Sequence, residues 1–392
     1  MKALALLFVT GTASAGGFAL NEFDASAVGR GNAVAATDTD PSSIFYNVGG
    51  MAAREGTGIT IGGALVAPFA TFHRADDVDI DSTTNPQVVP SAFVTTRLND
   101  RLSVGLGFYT PFGLTIDWPD NAPTNDIAKT TSLRSYFITP AIGYVLAPGL
   151  TIGGGVDIVP ATVELTQYVF FGDDHGTAHL GGTALGFGGR IGVMWRPCPM
   201  PNLSFGAMWR SNVKEDFSGT GDFDAPAPYR SQLPPDGDIS TKLTLPRQVI
   251  VGAAYRPVRD FEIEANAMWT NWSSFDQLVV TVPTTTITTP EHYQNTFSAR
   301  VGLEYRMPNA GFAVRAGYIY DPSPIKAEYL TVQLPDIDRH DVTAGVSKAF
   351  GPIDFHVGLL YVIPGTRAST ATDKGTFDVS AFVASVSIGG RF

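Results

Sequence analysis

The sequence predicts an all-β protein, a 14-stranded antiparallel transmembrane β-barrel with an N-terminal plug in its lumen. Three observations carry that expectation. Period-two alternation runs from residue 57 to the end, tight links alternate with longer ones between an even number of strands, and a secretory leader opens a chain that closes on an aromatic residue.

The leader comes first. Lys2 precedes an apolar run from Ala3 to Val9 and the small triplet Ala13-Ser14-Ala15, so residues 1–15 read as a signal peptide and Gly16 as the first mature residue. That run is too short to span a bilayer as a helix, and no later stretch supplies eighteen or so uninterrupted apolar residues.

Residues 16–56 do not alternate and are rich in Gly, Ala, Ser and Asp. Phe18, Leu20, Phe23, Ile44, Phe45 and Tyr46 give the segment apolar surface that must pack somewhere. A fourteen-strand ring is wider than the eight-strand size that side chains can fill, so its lumen needs a plug. The segment is expected to be that plug, the alternative being a periplasmic tail.

Residues 57–392 form the barrel. Ile263, Ala265, Ala267 and Trp269 fall on one face, with Glu262, Glu264 and Asn266 on the other. The same pattern recurs at Ala299, Val301, Leu303 and Tyr305, at Leu203, Phe205, Ala207 and Trp209, and at Ile353, Phe355, Val357, Leu359 and Tyr361. Strands are expected near 57–72, 87–98, 101–116, 132–147, 150–170, 180–196, 202–218, 239–256, 260–280, 292–307, 311–321, 338–350, 353–363 and 376–392.

A soluble sandwich also alternates, so the connections decide. Asn99-Asp100, Ala147-Pro148-Gly149, Pro257-Val258-Arg259 and Gly351-Pro352 are tight and follow even strands, whereas longer polar loops follow odd ones. Outer-membrane barrels segregate loop lengths in this way. In the last strand Phe382, Ala384, Val386, Ile388, Gly390 and Phe392 share a face. A terminal aromatic such as Phe392 is what the outer-membrane assembly machinery reads, which makes that machinery and outer-membrane lipid expected partners.

Composition agrees. Hydrophobic residues make up 44% and charged residues 16%, with 42 Gly and 11% aromatics, against roughly a quarter charged in soluble domains. A net charge of −11 disfavours nucleic acid. The lone Cys198 forms no internal disulfide.

Several motifs then resemble the FadL/TodX family of outer-membrane transporters for long-chain fatty acids and other hydrophobic compounds. Gly17-Phe18-Ala19-Leu20-Asn21-Glu22-Phe23, followed by Ser26 and Gly29-Arg30, is similar to the family's hatch sequence. Arg210-Ser211-Asn212-Val213-Lys214, Leu245-Pro246, Trp272-Ser273-Ser274-Phe275, Asp321-Pro322-Ser323-Pro324 and Leu334-Pro335-Asp336-Ile337-Asp338-Arg339 follow in order. The resemblance implies fourteen strands, a hatch, capture near the extracellular loops, an internal apolar pocket and lateral release into the membrane.

It also implies passive transport without a cofactor, with long-chain fatty acids as first cargo and monoaromatic hydrocarbons as the alternative. Two departures stand out. Asn47-Val48-Gly49 replaces the family's Asn-Pro-Ala lateral-gate motif, and the third extracellular loop, around 170–179, is short.

Among chemical candidates, Arg190, Arg210, Arg300, Arg306 and Arg315 lie on the lumen side and could meet a carboxylate ligand. Glu262, Glu264 and Glu304 share that side, and a structural ion-pair network is the favoured use of most of these arginines. His175 and His179 with Asp173 and Asp174 lack metal-site spacing for a loop, and the Asp76, Asp77, Asp79 and Asp81 cluster reads as a solvated acidic loop. A hydrolase would need an activated Ser. His356 is the best-placed histidine, but no Gly-x-Ser-x-Gly elbow accompanies it, and no enzyme is expected. A general porin is the stronger rival; the hatch-like N-terminus separates the two readings.

Overall fold

The computed structural model describes residues 16–372 and 374–392, so the expected leader at 1–15 lies outside the described residues. Over the middle of the barrel strands, alternate side chains face outward and are apolar. Ile61, Leu65, Ile142, Phe187, Ile191, Phe297, Val301 and Val386 are all exposed, while Glu264, Asn266 and Arg300 face in and are buried. A sandwich would bury the apolar face instead, so burial settles which solvent each face meets.

Fourteen strands close the ring. They are β1 (Thr57–Arg74), β2 (Asp79–Asp81 with Gln87–Arg97), β3 (Leu102–Asp117), β4 (Thr130–Ala147), β5 (Leu150–Phe171), β6 (Asp174–Trp195), β7 (Leu203–Arg210 with Val213–Asp224) and β8 (Gly237–Leu245 with Gln248–Val258). There follow β9 (Phe261–Thr270 with Gln277–Val282), β10 (Thr285–Pro290 with Thr296–Met307), β11 (Phe312–Asp321), β12 (Arg339–Phe350), β13 (Ile353–Ser369) and β14 (Gly375–Arg391). Each pairs antiparallel with its neighbours, and β1 closes on β14 from Gly58↔Arg391 to Arg74↔Gly375. The seam is pinned at its end by Thr57 and Phe392, whose amides donate to each other's carbonyls at 2.8 and 2.9 Å.

The strands run longer than alternation alone predicts. Residues 174–179, expected in the third extracellular loop, belong to β6, and the turn shrinks to Gly172 and Asp173. Gly172 sits at φ 72°, a left-handed conformation that glycine adopts freely. His175 stacks on Tyr168 across this ribbon at 4.3 Å, and His179 bonds Thr166 at 3.0 Å. Residues 285–290, also expected in a loop, pair with 277–282. Long loops therefore follow only some odd strands, while β5–β6 extends as a ribbon that β7 joins from Thr177, and β9–β10 as one that β8 meets at Val280 and Thr281.

The acidic first loop is internally paired. Asp76 meets Arg74 at 3.1 Å, Asp79 meets His73 at 2.7 Å and Asp81 accepts from Thr71 at 2.7 Å. An aromatic rim of Tyr144, Trp195, Phe205, Tyr255, Tyr305 and Phe350 lies outward near the short turns, where amphipathic rings meet lipid head groups.

Inside the ring, residues 17–52 are almost wholly buried. They form two one-turn helices, Ala25–Val28 and Ser43–Tyr46, and a 3-10 segment, Val48–Ala53. Asp24 caps the first by accepting from the Ser26 amide at 2.9 Å. Contact with the wall is backbone to backbone. A Cβ at Gly345 would lie 2.8 Å from Gly29 Cα, and one at Gly153, Gly206, Gly302, Gly317 or Gly358 would meet the backbone of residues 25–48.

Candidate functional site

The interior has two unlike ends. Toward the short turns, charge dominates. Arg30 pairs with Glu262 at 2.9 Å and lies 3.8 and 3.9 Å from Glu264 and Glu304. Arg315 meets Glu304 at 2.6 Å, and Arg256 and Arg306 close on Glu262 and Glu304. Glu264 also accepts from the Ala36 amide at 2.7 Å and from Thr37 at 2.5 Å. Arg30, Thr37, Arg256, Glu304, Arg306 and Arg315 border a polar chamber of about 570 Å³. His356 lines it too, 2.5 Å from Ser347, whose hydroxyl is shared with Arg315.

The remaining predicted cations are also engaged. Arg190 reaches Asp157 at 2.8 Å and the Ile44 carbonyl at 2.9 Å. Arg210 donates to Gln248 at 2.8 Å and to the Phe45 carbonyl, its guanidinium 4.0 Å from the Phe45 ring. Arg300 is buried, with a 3.7 Å contact to Met268 sulfur. Four of the five arginines thus hold a carboxylate or a carbonyl of residues 16–56 or of the wall.

Toward the long loops the interior is apolar. Residues 322–338 fold back into the opening, burying Ile325, Leu330, Val332 and Ile337, and the Trp118 indole donates to the Val332 carbonyl at 2.9 Å. Beneath them lies a cavity of about 110 Å³. Phe18 forms its floor, with Trp272 at 4.7 Å and Phe275 at 5.8 Å edge-on to its ring, and Tyr293 continues the wall 4.9 Å from Phe275. Leu133, Val163, Leu243 and Leu278 complete it.

Glu291 also lines this cavity. It sits where β10 breaks between Pro290 and Thr296, in a stretch bent by His292 at φ 44°. The residue is 9% exposed, and burial pushes its carboxyl up to about 8. Asp336, in the overlying loop, is likewise pushed up to about 6 by burial, against hydrogen bonds from Ser323 and the Gly17 amide. Alternation gave no signal for Glu291, because the strand is interrupted there.

The wall opens between β2 and β3. Their pairing runs from Arg97↔Ser103 to Ala92↔Phe108 and stops. Beyond it, Gln87–Ser91 pair with β1, and Phe112–Asp117 with β4. An extra residue bulges β3 between Tyr109 and Phe112. Pro111 in that bulge and Pro90 opposite carry no N–H to donate. The far side of the window is closed by the Thr83 amide on the Asp117 carbonyl at 2.9 Å.

Residues 18–20 fill the window from inside. The Leu20 amide donates to Pro111 at 2.8 Å, Gly113 donates to Phe18 at 2.9 Å, and Ala19 bridges Phe112 antiparallel. Leu20, Val88, Pro90, Phe112 and Arg134 enclose only about 10 Å³ there. Pro111 inside a strand run was the available sequence signal for this break.

Of the other expected hatch residues, Asn21, Glu22, Phe23, Gly29 and Arg30 are buried, and Ser91 donates to the Phe23 carbonyl at 2.5 Å. Asn47-Val48-Gly49 packs on β5 and β6. Asn47 donates to Ala35 at 2.6 Å and Val193 at 2.9 Å, and a Cβ at Gly49 would lie 2.8 Å from Val193 backbone. The residues touching the β2–β3 window are Phe18 to Leu20.

A family model described as outer membrane protein transport protein (OMPP1/FadL/TodX) matches residues 6–374. The long-chain fatty acid transport protein of Salmonella typhi is 25% identical over 397 residues, covering 92% of this chain and 90% of that protein. Among solved structures, a Pseudomonas aeruginosa FadL homologue superposes with a TM-score of 0.84 at 19% identity, covering 96% of this chain and all of that one. The toluene transporter TodX of Pseudomonas putida gives 0.78 at 20% identity, covering 96% and 99%.

Proposed function

The chain belongs to the outer membrane protein transport family (OMPP1/FadL/TodX), a family of outer-membrane transporters of hydrophobic compounds and not of enzymes; from that premise we propose a route. A hydrophobic solute enters among the extracellular loops, rests in the apolar cavity above Phe18, and leaves through the β2–β3 window into the bilayer. Residues 16–56 act as the hatch, and the strand at Phe18 to Leu20 is its moving part. The cargo named for the relatives runs from long-chain fatty acids to toluene; a cavity of about 110 Å³ fits the smaller end of that range.

The observation that carries this reading is the hydrogen-bonded bridge of residues 18–20 across an unpaired stretch of wall. Unpaired backbone at membrane depth is tolerated where protein covers it or it lines a cavity. Moving the bridge exposes a gap that leads to lipid. Straight passage is opposed by the buried ion pairs and polar chamber below, because an apolar chain forfeits roughly 0.8 kcal/mol per CH₂ on returning to water. Lateral exit needs no energy input.

Phe392, 71% exposed beside the β1–β14 seam, is assigned to recognition by the assembly machinery. The test of transport is functional. Purified protein in planar bilayers is expected to pass little steady ion current while cells gain uptake of oleate or toluene. Large, stable current without such uptake would make the protein a porin.

A further inference from the structure

Resting on this transport reading, we propose that the cavity above Phe18 receives uncharged, ring-sized solutes bearing one hydroxyl or carbonyl, held by a hydrogen bond to Glu291, and turns away ionised carboxylates.

Size sets the first limit. The cavity holds about 110 Å³, less than the roughly 150 Å³ of an apolar protein cavity that accepts benzene, so a single ring is the most it takes. Shape sets the second. Phe18 and Phe275 stand at 85° to one another and Phe275 and Tyr293 at 80°, a cornered wall suited to one planar ring.

Charge sets the third. Among the described residues no Lys or Arg lines this cavity, whereas Glu164 and Glu291 do, with Tyr293 and Tyr329 as the other titratable groups, and Asp336 stands behind Tyr293. An ionised carboxylate would lose solvation there without gaining a counter-ion, and would face the Glu164 carboxylate on the lining.

Glu291 supplies the recognition. The residue is nine-tenths buried, and burial alone acts on its carboxyl, with no hydrogen-bond partner among the described residues. The hydroxyl of Thr131, also on the lining, is buried and unpaired. A group that the protein itself leaves unpaired gains most from a ligand that completes it, and a site built to bond a hydroxyl discriminates against the analogue lacking one. Burial keeps Glu291 protonated at neutral pH, able both to donate to a solute oxygen and to accept from its hydroxyl.

The experiment measures binding of p-cresol, toluene and 4-methylbenzoate to the mature protein in lipid nanodiscs, followed by the fluorescence of Trp272, which touches Phe18. Wild type is expected to bind p-cresol about tenfold more tightly than toluene, which corresponds to one hydrogen bond, and 4-methylbenzoate not measurably. E291L should bring p-cresol down to the level of toluene, with E291Q between. If p-cresol binds no better than toluene, or 4-methylbenzoate binds as well, this proposal falls while transport of toluene stands. If none of the three binds, the proposal falls; the transport reading falls with it only if cells also take up neither oleate nor toluene. Because the wild-type ranking alone decides, a variant that fails to fold leaves the test intact.

Discussion

Glu291 makes a pH-dependent contribution whose sign can be worked out. Its carboxyl is pushed from 4.5 up to about 8, so between these values the folded protein keeps a proton that the unfolded chain has lost. Stability therefore falls as pH rises through that window and levels off above it, by an amount on the order of a few kcal/mol at most. In melting experiments from pH 5 to 8.5, the difference between wild type and E291Q should move against wild type; a flat difference would mean that the carboxyl is not buried as described. At this scale period-two alternation read well. It put Arg190, Arg210, Arg300 and Arg315 on the lumen side, where all four are found largely buried, since one dihedral pattern fixes one face. It could not find Glu291, whose burial depends on residues 322–338 folding over a strand break.

The element that matters most is the short strand at Phe18 to Leu20. It is held by two backbone hydrogen bonds to β3, few enough to release without unfolding the barrel. Pairing A19C with F112C, in a C198S background, should lock it. The expected outcome is loss of hydrophobic uptake under oxidising conditions and recovery on reduction, with the barrel fold unchanged. Uptake that persists in the oxidised double variant would exclude movement of this strand. Strand cores were legible because lipid demands apolar side chains at alternate positions. The ends at 174–179, 219–224, 285–290 and 364–369 were not, because beyond the membrane both faces of a ribbon meet water and the pattern fades. Pro111 and Pro90 were visible in the sequence, but their opposition across the β2–β3 window depends on register.

For the whole molecule, closure depends on the β1–β14 seam. Phe392 contributes its backbone to that seam and its ring to the outer surface. F392A retains both terminal hydrogen bonds, so the purified variant should refold in detergent with a melting temperature close to wild type. In cells, the amount of heat-modifiable barrel in the outer membrane should drop several-fold if the ring is a recognition signal. Equal loss in both settings would make its role structural only. Barrel and strand number followed from pattern and connection lengths. The unlike halves of the lumen did not, since they arise from which inward residues share a height, a property of strand stagger.

The glycine-lined contact between residues 25–48 and the wall has a further meaning for inheritance. A glycine on β5, β7, β10, β11, β12 or β13 is each time the partner of backbone rather than of a side chain, so neither surface can accommodate a change in the other by choosing a new rotamer. N-terminal segment and ring are therefore not interchangeable modules. A graft of residues 16–56 from a relative would be accepted only together with the wall glycines it evolved beside, and divergence among such channels should fall on the loops and the lipid face, where substitution carries no such obligation.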